Sequence, residues 1–174
     1  MEYLIKMANK VLVKNNERTT SGFVQNIGVV NNKIDIPFPF NYADMSIHSS
    51  QDVLEKICKF CNINGIDLLA VEIPSIDRRC KFLSNRTAYY TQYLNIKEFF
   101  RRYDVDFFDF NFIKPDIYQD HQIFYKDIGH FNFDGANAFT TSFAHFLKLR
   151  QEGYNMEEYF YTPEEYLASI DYIQ

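Results

Sequence analysis

The sequence predicts a three-layer α/β fold, a parallel sheet with helices on both faces. Two short and mostly apolar runs, 66–73 and 105–110, have the length and composition of strands that are buried on both sides. A helical pattern precedes each run, so the predicted order is helix, strand, helix, strand. Right-handed crossovers between neighbouring parallel strands would place these helices against the sheet.

Length and composition are those of one globular domain. Of the 174 residues, 47% are apolar, enough for a substantial core. We divide the chain into an N-terminal helix and hairpin (1–48), an α/β core (49–150) and a C-terminal helix (151–174). The net charge of −5 provides no basic surface for nucleic acid. No apolar run has the length of a membrane span or a signal peptide, so we expect a soluble chain, cytoplasmic by default.

The first third of the chain is predicted to contain two helices and, between them, a hairpin. Apolar residues recur at helical spacing over 1–16, and two extended runs flank Asn31-Asn32, a pair that suits a tight turn. The apolar face of the second helix includes Cys58 and Cys61. No second cysteine pair completes a zinc site, and the pair does not follow a strand as redox pairs do. We therefore interpret both as core cysteines.

The middle of the chain carries the two predicted strands and the helix between them. Pro74 ends the first strand, and a loop rich in charge is expected after it. A helix is predicted from about 87 to 102, and the second strand follows at 105–110. The apolar stripe that we expect this helix to bury is Tyr89, Tyr90, Tyr93, Leu94, Ile96, Phe99 and Phe100.

A long irregular segment, 111–131, follows the second strand. Ligands of open parallel sheets bind beyond the carboxyl ends of the strands, so we expect a functional site in this segment. Asp134 is then predicted to cap a helix, whose apolar face is Ala138, Phe139, Phe143, Phe146 and Leu147. A last helix is predicted to begin at Thr162-Pro163-Glu164-Glu165, with Thr162 as its cap, Pro at the first position and the acid Glu165 at the third, as in a capping box. This helix either packs on the domain or binds a partner.

Asp127 and His130 are the candidate catalytic pair in this segment. An acid three residues before a histidine, on a turn that opens a helix, can hydrogen-bond to the imidazole and leave its other nitrogen free for a proton. The alternative is structural: Asp127 caps a turn and His130 is a hydrogen-bonded histidine. Together with His121 and Asp134 the pair matches no recognised metal-ligand spacing, so we expect no metal and no cofactor.

Three segments in order carry a family resemblance. They are Val71-Glu72-Ile73-Pro74, Val105 to Asp109, and Asp127 to Ala136 with its D-x-x-H-x-N-x-x-G-A pattern. Residues 66–148 resemble the C-terminal half of an SGNH (GDSL-type) hydrolase, in particular its O-acyltransferase-like branch. The resemblance implies a flavodoxin-like sheet and an acyl ester substrate, either a small molecule or a carbohydrate. It also implies His130 as general base and Asp127 as the residue that orients it.

The serine nucleophile of that family has no counterpart in the sequence. The family places it in a Gly-x-Ser block after a first strand, and no glycine here precedes a serine at that spacing. Ser75, at the carboxyl end of a predicted strand, is the remaining weak candidate. Asn132 and Asn85 are weak candidates for oxyanion donors, and Arg78 or Arg79 could face the site.

Three functional hypotheses follow from this half-complete pattern. The first is a hydrolase or acyltransferase domain that is incomplete at its N-terminus, with Met1 an internal start and the serine upstream. The second is a non-catalytic interaction module that keeps the fold and, as a relic, the dyad of Asp127 and His130. The third is an intact enzyme with an unrecognised nucleophile. The sequence does not indicate an oligomeric state.

Overall fold

A computed structural model of the protein describes residues 51–171, so the helix and hairpin predicted for 1–48 lie outside the described residues. Within the described segment, five α-helices and four short strands follow one another. They are α1 (Gln51–Ile63), β1 (Leu69–Glu72), α2 (Ile76–Ser84), α3 (Arg86–Arg101), β2 (Asp106–Asp109), β3 (Tyr125–Asp127), β4 (His130–Phe131), α4 (Phe133–Gln151) and α5 (Pro163–Asp171). None of these helices is long and apolar enough to cross a membrane.

The strands form two small sheets. β1 and β2 pair in parallel, with Leu69 opposite Asp106 and Glu72 opposite Asp109. β3 and β4 form an antiparallel hairpin. The mixed α/β class is confirmed. The wider, three-layer parallel sheet stays a prediction, because parallel pairing among residues 51–171 is limited to β1 and β2.

Helices pack against both faces of the parallel pair. Phe107 and Phe108 are neighbours on β2 and therefore point to opposite faces of the sheet. Phe107 belongs to a buried cluster with Cys58 of α1 and Phe99 of α3. Phe108 packs edge-on against Phe146 of α4, with ring centroids 5.3 Å apart. Packing on both faces explains the continuous apolar runs of these strands. Cys58 and Cys61 are both buried, which confirms them as core cysteines.

The segment after β1 differs from the prediction. The charged stretch expected as a loop forms α2. Its start is capped by Ser75, whose Oγ accepts a hydrogen bond from the amide of Arg78 at 3.1 Å. Ile76 and Phe82 are buried on the inner face. The cap and the burial of these two side chains stabilise α2, although its outer face is charged.

The region from 111 to 131 is also more regular than predicted. It contains two 3-10 turns, Phe110–Phe112 and Gln122–Phe124, in addition to the β3–β4 hairpin. α4 is capped by Asn132, and the predicted cap Asp134 instead lies in the first turn. On the predicted apolar stripes, Leu94 and Leu147 are exposed rather than buried.

The C-terminal helix packs on the domain, the first of its two predicted alternatives. Tyr166 and Leu167 of α5 pack against the cluster of Phe82, Tyr89 and Phe112. Thr162 and Glu165 form the predicted capping box, in which the amide of Glu165 donates to Thr162 Oγ1 and the amide of Thr162 donates to Glu165 Oε2.

Candidate functional site

The β3–β4 hairpin brings Asp127 and His130 together. Ile128 and Gly129 form the two-residue turn, so Asp127 and His130 are direct partners across the strand pair. His130 Nδ1 lies 2.8 Å from Asp127 Oδ1. This is the hydrogen bond that the sequence spacing predicts, and a tight hairpin produces it rather than a helical turn.

The charge of Asp127 determines which of the two imidazole nitrogens of a neutral His130 carries the proton. Partial desolvation opposes ionisation of Asp127, but hydrogen bonds from the Gly129 amide at 2.9 Å and from His130 outweigh it and lower the pKa of this carboxyl. An ionised carboxylate accepts only, so Nδ1 of a neutral His130 must carry the proton. The His130 side chain is 71% exposed. Its Nε2 makes no hydrogen bond within residues 51–171 and is open to a proton donor.

Asn132 anchors the hairpin to α4. Its backbone amide donates to the carbonyl of Phe124 at 2.9 Å, and its Nδ2 donates to the carbonyl of Ile123 at 2.6 Å. Its Oδ1 accepts from the amide of Gly135 at 2.9 Å, which caps α4. The residue is buried and both ends of its amide are engaged. The geometry therefore gives Asn132 a structural task, although its prediction as an oxyanion donor remains untested.

Ser75 lies near the dyad hairpin but is not bonded to the dyad. The amide of Asp77, in the first turn of α2, donates to the carbonyl of Ile128 at 2.8 Å, so α2 begins beside the hairpin turn. The Oγ of Ser75 is engaged in the cap of α2, and its side chain is buried. In the described part of the chain, no hydrogen bond joins Ser75 to His130.

Asn85 and His121 have partners outside the dyad. Asn85 is exposed and caps α3, with its Oδ1 accepting from the amide of Ala88 at 3.0 Å. Within residues 51–171, no group of three or more His, Cys, Asp or Glu side chains is placed to hold a metal ion. His121 instead packs edge-on against Phe124, with ring centroids 5.4 Å apart.

A buried polar network at the carboxyl ends of β1 and β2 was missed by the sequence-based predictions. Asp109 is 5% exposed and accepts hydrogen bonds from the Tyr89 hydroxyl (2.9 Å), the Asn111 amide (3.0 Å) and Asn111 Nδ2 (2.8 Å). Asn111 Oδ1 in turn accepts from the amide of Ser75 at 2.8 Å. Burial raises the pKa of Asp109. The sequence signal for this network was two polar residues alternating with phenylalanines at the end of a predicted strand.

This network and the hairpin together position the start of α2. Asn111 holds the backbone at Ser75, and the first turn of α2 then meets Ile128. The dyad hairpin is thus fastened on two sides, to α2 through Ile128 and to α4 through Asn132. Such support keeps the imidazole and the carboxylate in one relative orientation.

Comparisons with protein-family models, with curated proteins and with solved structures return no match for this chain. The resemblance to SGNH hydrolases is therefore carried by the motif residues themselves. Of those residues, Asp127 and His130 are open to solvent, whereas Asn132 and Gly135 are buried in the support of the hairpin.

Proposed function

We propose that this chain is an SGNH-hydrolase-like domain that acts on acyl esters of small molecules or carbohydrates, with Asp127 and His130 as its acid–base pair. The supporting observation is the 2.8 Å contact between Asp127 Oδ1 and His130 Nδ1, which leaves Nε2 exposed. This nitrogen would take the proton of a serine hydroxyl as its oxygen attacks the ester carbonyl carbon. It would then return the proton to the leaving alcohol.

The nucleophile is the part of the proposal that the described residues do not supply. A serine must reach hydrogen-bond distance of Nε2, and no described serine does so. Ser75 is buried, and it would have to break its hydrogen bond with the Arg78 amide to reach the imidazole. After acyl transfer to the serine, water would complete hydrolysis or a second alcohol would complete transfer.

Turnover of short-chain nitrophenyl esters by the full chain tests the proposal. We expect His130→Ala to lower kcat/KM by about 10² to 10⁴-fold, the usual contribution of a general base. Asp127→Asn should also lower it, because it removes the charge that stabilises the imidazolium. His145→Ala is the matched control, since His145 is an exposed histidine on α4. Equal rates in all variants would rule out a catalytic role for the dyad.

A serine-reactive fluorophosphonate identifies the nucleophile in the same preparation. Labelling that is lost in His130→Ala, followed by peptide mapping, would name the activated serine. If Ser75 is that residue, Ser75→Ala abolishes both labelling and turnover. If it is only the cap of α2, the same substitution lowers the free energy of unfolding by about 1 kcal/mol and leaves both unchanged.

The second candidate function is a non-catalytic interaction module. The observation that favours it is that the Oγ of Ser75 and the amide oxygens of Asn85 and Asn132 are all engaged in helix caps. No turnover and no labelling by a stably folded chain would favour this alternative over an enzyme that uses a serine of this chain.

A further inference from the structure

Arg79 of α2 lies against the loop that precedes the dyad hairpin. Its Nη1 donates to Oδ2 of Asp120, and its guanidinium carbon lies 5.5 Å from the centre of the Tyr125 ring. The side chain is only 21% exposed. A guanidinium has five N–H donors, and within residues 51–171 the oxygens of Asp120 and Tyr125 are its hydrogen-bonding partners. Arg79 is therefore held in place with most of its donors available.

Asp120 has little capacity left to accept further hydrogen bonds. The hydroxyl of Tyr118 donates to its Oδ1 at 3.0 Å, and the hydroxyl of Tyr125 lies 2.9 and 3.0 Å from its two oxygens. Burial raises the pKa of both tyrosines, so both keep their phenolic protons near neutrality. Three residues thus donate to one carboxylate, and the N–H and O–H donors of the cluster outnumber the acceptor sites of Asp120.

A cavity of about 370 Å³ opens onto this cluster. Its lining residues are Ile76, Arg79, Asp120, Gln122 and Tyr166. The volume suits a small molecule. Because the acceptors of Asp120 are already used, the polar groups of the wall that can still bind a ligand are the remaining N–H donors of Arg79, the amide of Gln122 and the hydroxyl of Tyr166. A complementary ligand would be rich in acceptors, with a short apolar part against Ile76 and Tyr166.

The cavity adjoins the dyad hairpin through two elements. Tyr125, which carries the guanidinium of Arg79 on its ring, is the first residue of β3. Ile76 is the first residue of α2, and the next amide, that of Asp77, is bonded to the hairpin turn. A molecule held in this cavity therefore lies beside the strand pair that carries Asp127 and His130.

We propose that this cavity binds a small oxyanion, a carboxylate or phosphate group, through Arg79 and Gln122. Guanidinium groups match the planar arrangement of such oxygens with two parallel hydrogen bonds. Binding itself is independent of catalysis. Its role as the anchor of an anionic acyl ester beside His130 rests on the proposed function.

The test is a titration of the full chain with inorganic phosphate, with acetate, and with neutral methyl acetate. The ¹H–¹⁵N signals of the Arg79 Nε–H and of the Ile76 and Gln122 amides report on the cavity. Saturable shifts with phosphate, acetate or both support the proposal and identify the oxyanion, and methyl acetate should produce none. Arg79→Lys should weaken binding by about 10- to 100-fold, the loss of one charge-assisted hydrogen bond. Arg86→Lys, at an exposed arginine on α3, is the matched control.

Two results would overturn the proposal: no saturable shift with either anion, or equal anion affinity in Arg79→Lys and the wild type. If circular dichroism shows that Arg79→Lys does not fold, Gln122→Ala takes its place with the same criterion. The titration is repeated in His130→Ala, which should retain binding. Retained binding without any ester turnover in the wild type would refute the proposed function alone. Turnover without anion binding would refute the cavity alone.

Discussion

Among the glycines of residues 51–171, Gly135 is the one at which an added methyl group would meet the closest atoms. A Cβ at this residue would lie 2.1 Å from the carbonyl oxygen of Phe124, whereas ordinary contacts begin near 3.4 Å. α4 and the Gln122–Phe124 turn would have to separate by about 1.3 Å, the difference between those distances. That movement breaks the hydrogen bonds from Asn132 to the carbonyls of Phe124 (2.9 Å) and Ile123 (2.6 Å).

The cost of Gly135→Ala follows from these contacts. Overpacking contributes about 1–3 kcal/mol, and two lost hydrogen bonds contribute about 1 kcal/mol each. The better helix propensity of alanine returns about 1 kcal/mol. The free energy of unfolding should therefore fall by about 2–4 kcal/mol. For a domain of this size the melting temperature would fall by about 5–15 °C.

Thermal and urea unfolding of the full chain measure this effect. Gly129→Ala is the matched control in the same hairpin, because the nearest atom to its new methyl carbon, Asp127 Oδ1, would be 3.8 Å away. The control should stay within about 0.5 kcal/mol of the wild type. A Gly135→Ala chain that melts with the control, and in which the Asn132 side-chain amide signals are unchanged, would refute the close-approach argument.

Two electrostatic predictions concern groups outside the dyad. Burial raises the folded-state pKa of Asp109 above its ordinary 3.8, so the folded state favours the protonated carboxyl. The contribution of Asp109 to the free energy of unfolding is therefore complete below pH 3.8 and is lost as pH rises through the folded-state pKa. Asp109→Asn should remove this decline in urea unfolding measured from pH 4 to 9, and an unchanged pH profile would show that the carboxyl is not desolvated. Arg150 joins Asp67 at 3.0 Å and Asp106 at 3.1 Å across the ends of β1 and β2. Since both carboxylates are more than half exposed, Arg150→Met should cost at most about 1 kcal/mol, and less at 1 M salt. A loss that does not change with salt would contradict this.

Features with a local signal were predictable from the sequence. The capping box of Thr162 and Glu165 and the contact between Asp127 and His130 each join residues three apart. The buried Cys58 also follows from helical periodicity. Such features depend on the conformation of one turn, which the sequence specifies within a few residues.

Features that join distant residues were not predictable. The Ser75 amide meets Asn111, 36 residues away, and Arg79 meets Asp120 after 41. No periodicity or cap signal marks such partners, because they meet only after β1 and β2 have paired and α2 has packed. The helical state of α2 was missed for the same reason, since Ile76 and Phe82 are buried only by tertiary contacts.

The sequence by itself determined the order of α1, β1, α3 and β2 and the pairing of Asp127 with His130. Both follow from apolar periodicity and from short spacings along the chain. Only the tertiary structure decided which polar side chains are engaged and which remain open. It placed Ser75 and Asn132 in helix caps, and it left His130 and the guanidinium of Arg79 facing solvent or a cavity. The physical reason is that a polar atom is satisfied by neighbours in space, and these are set by the packing of segments far apart in sequence.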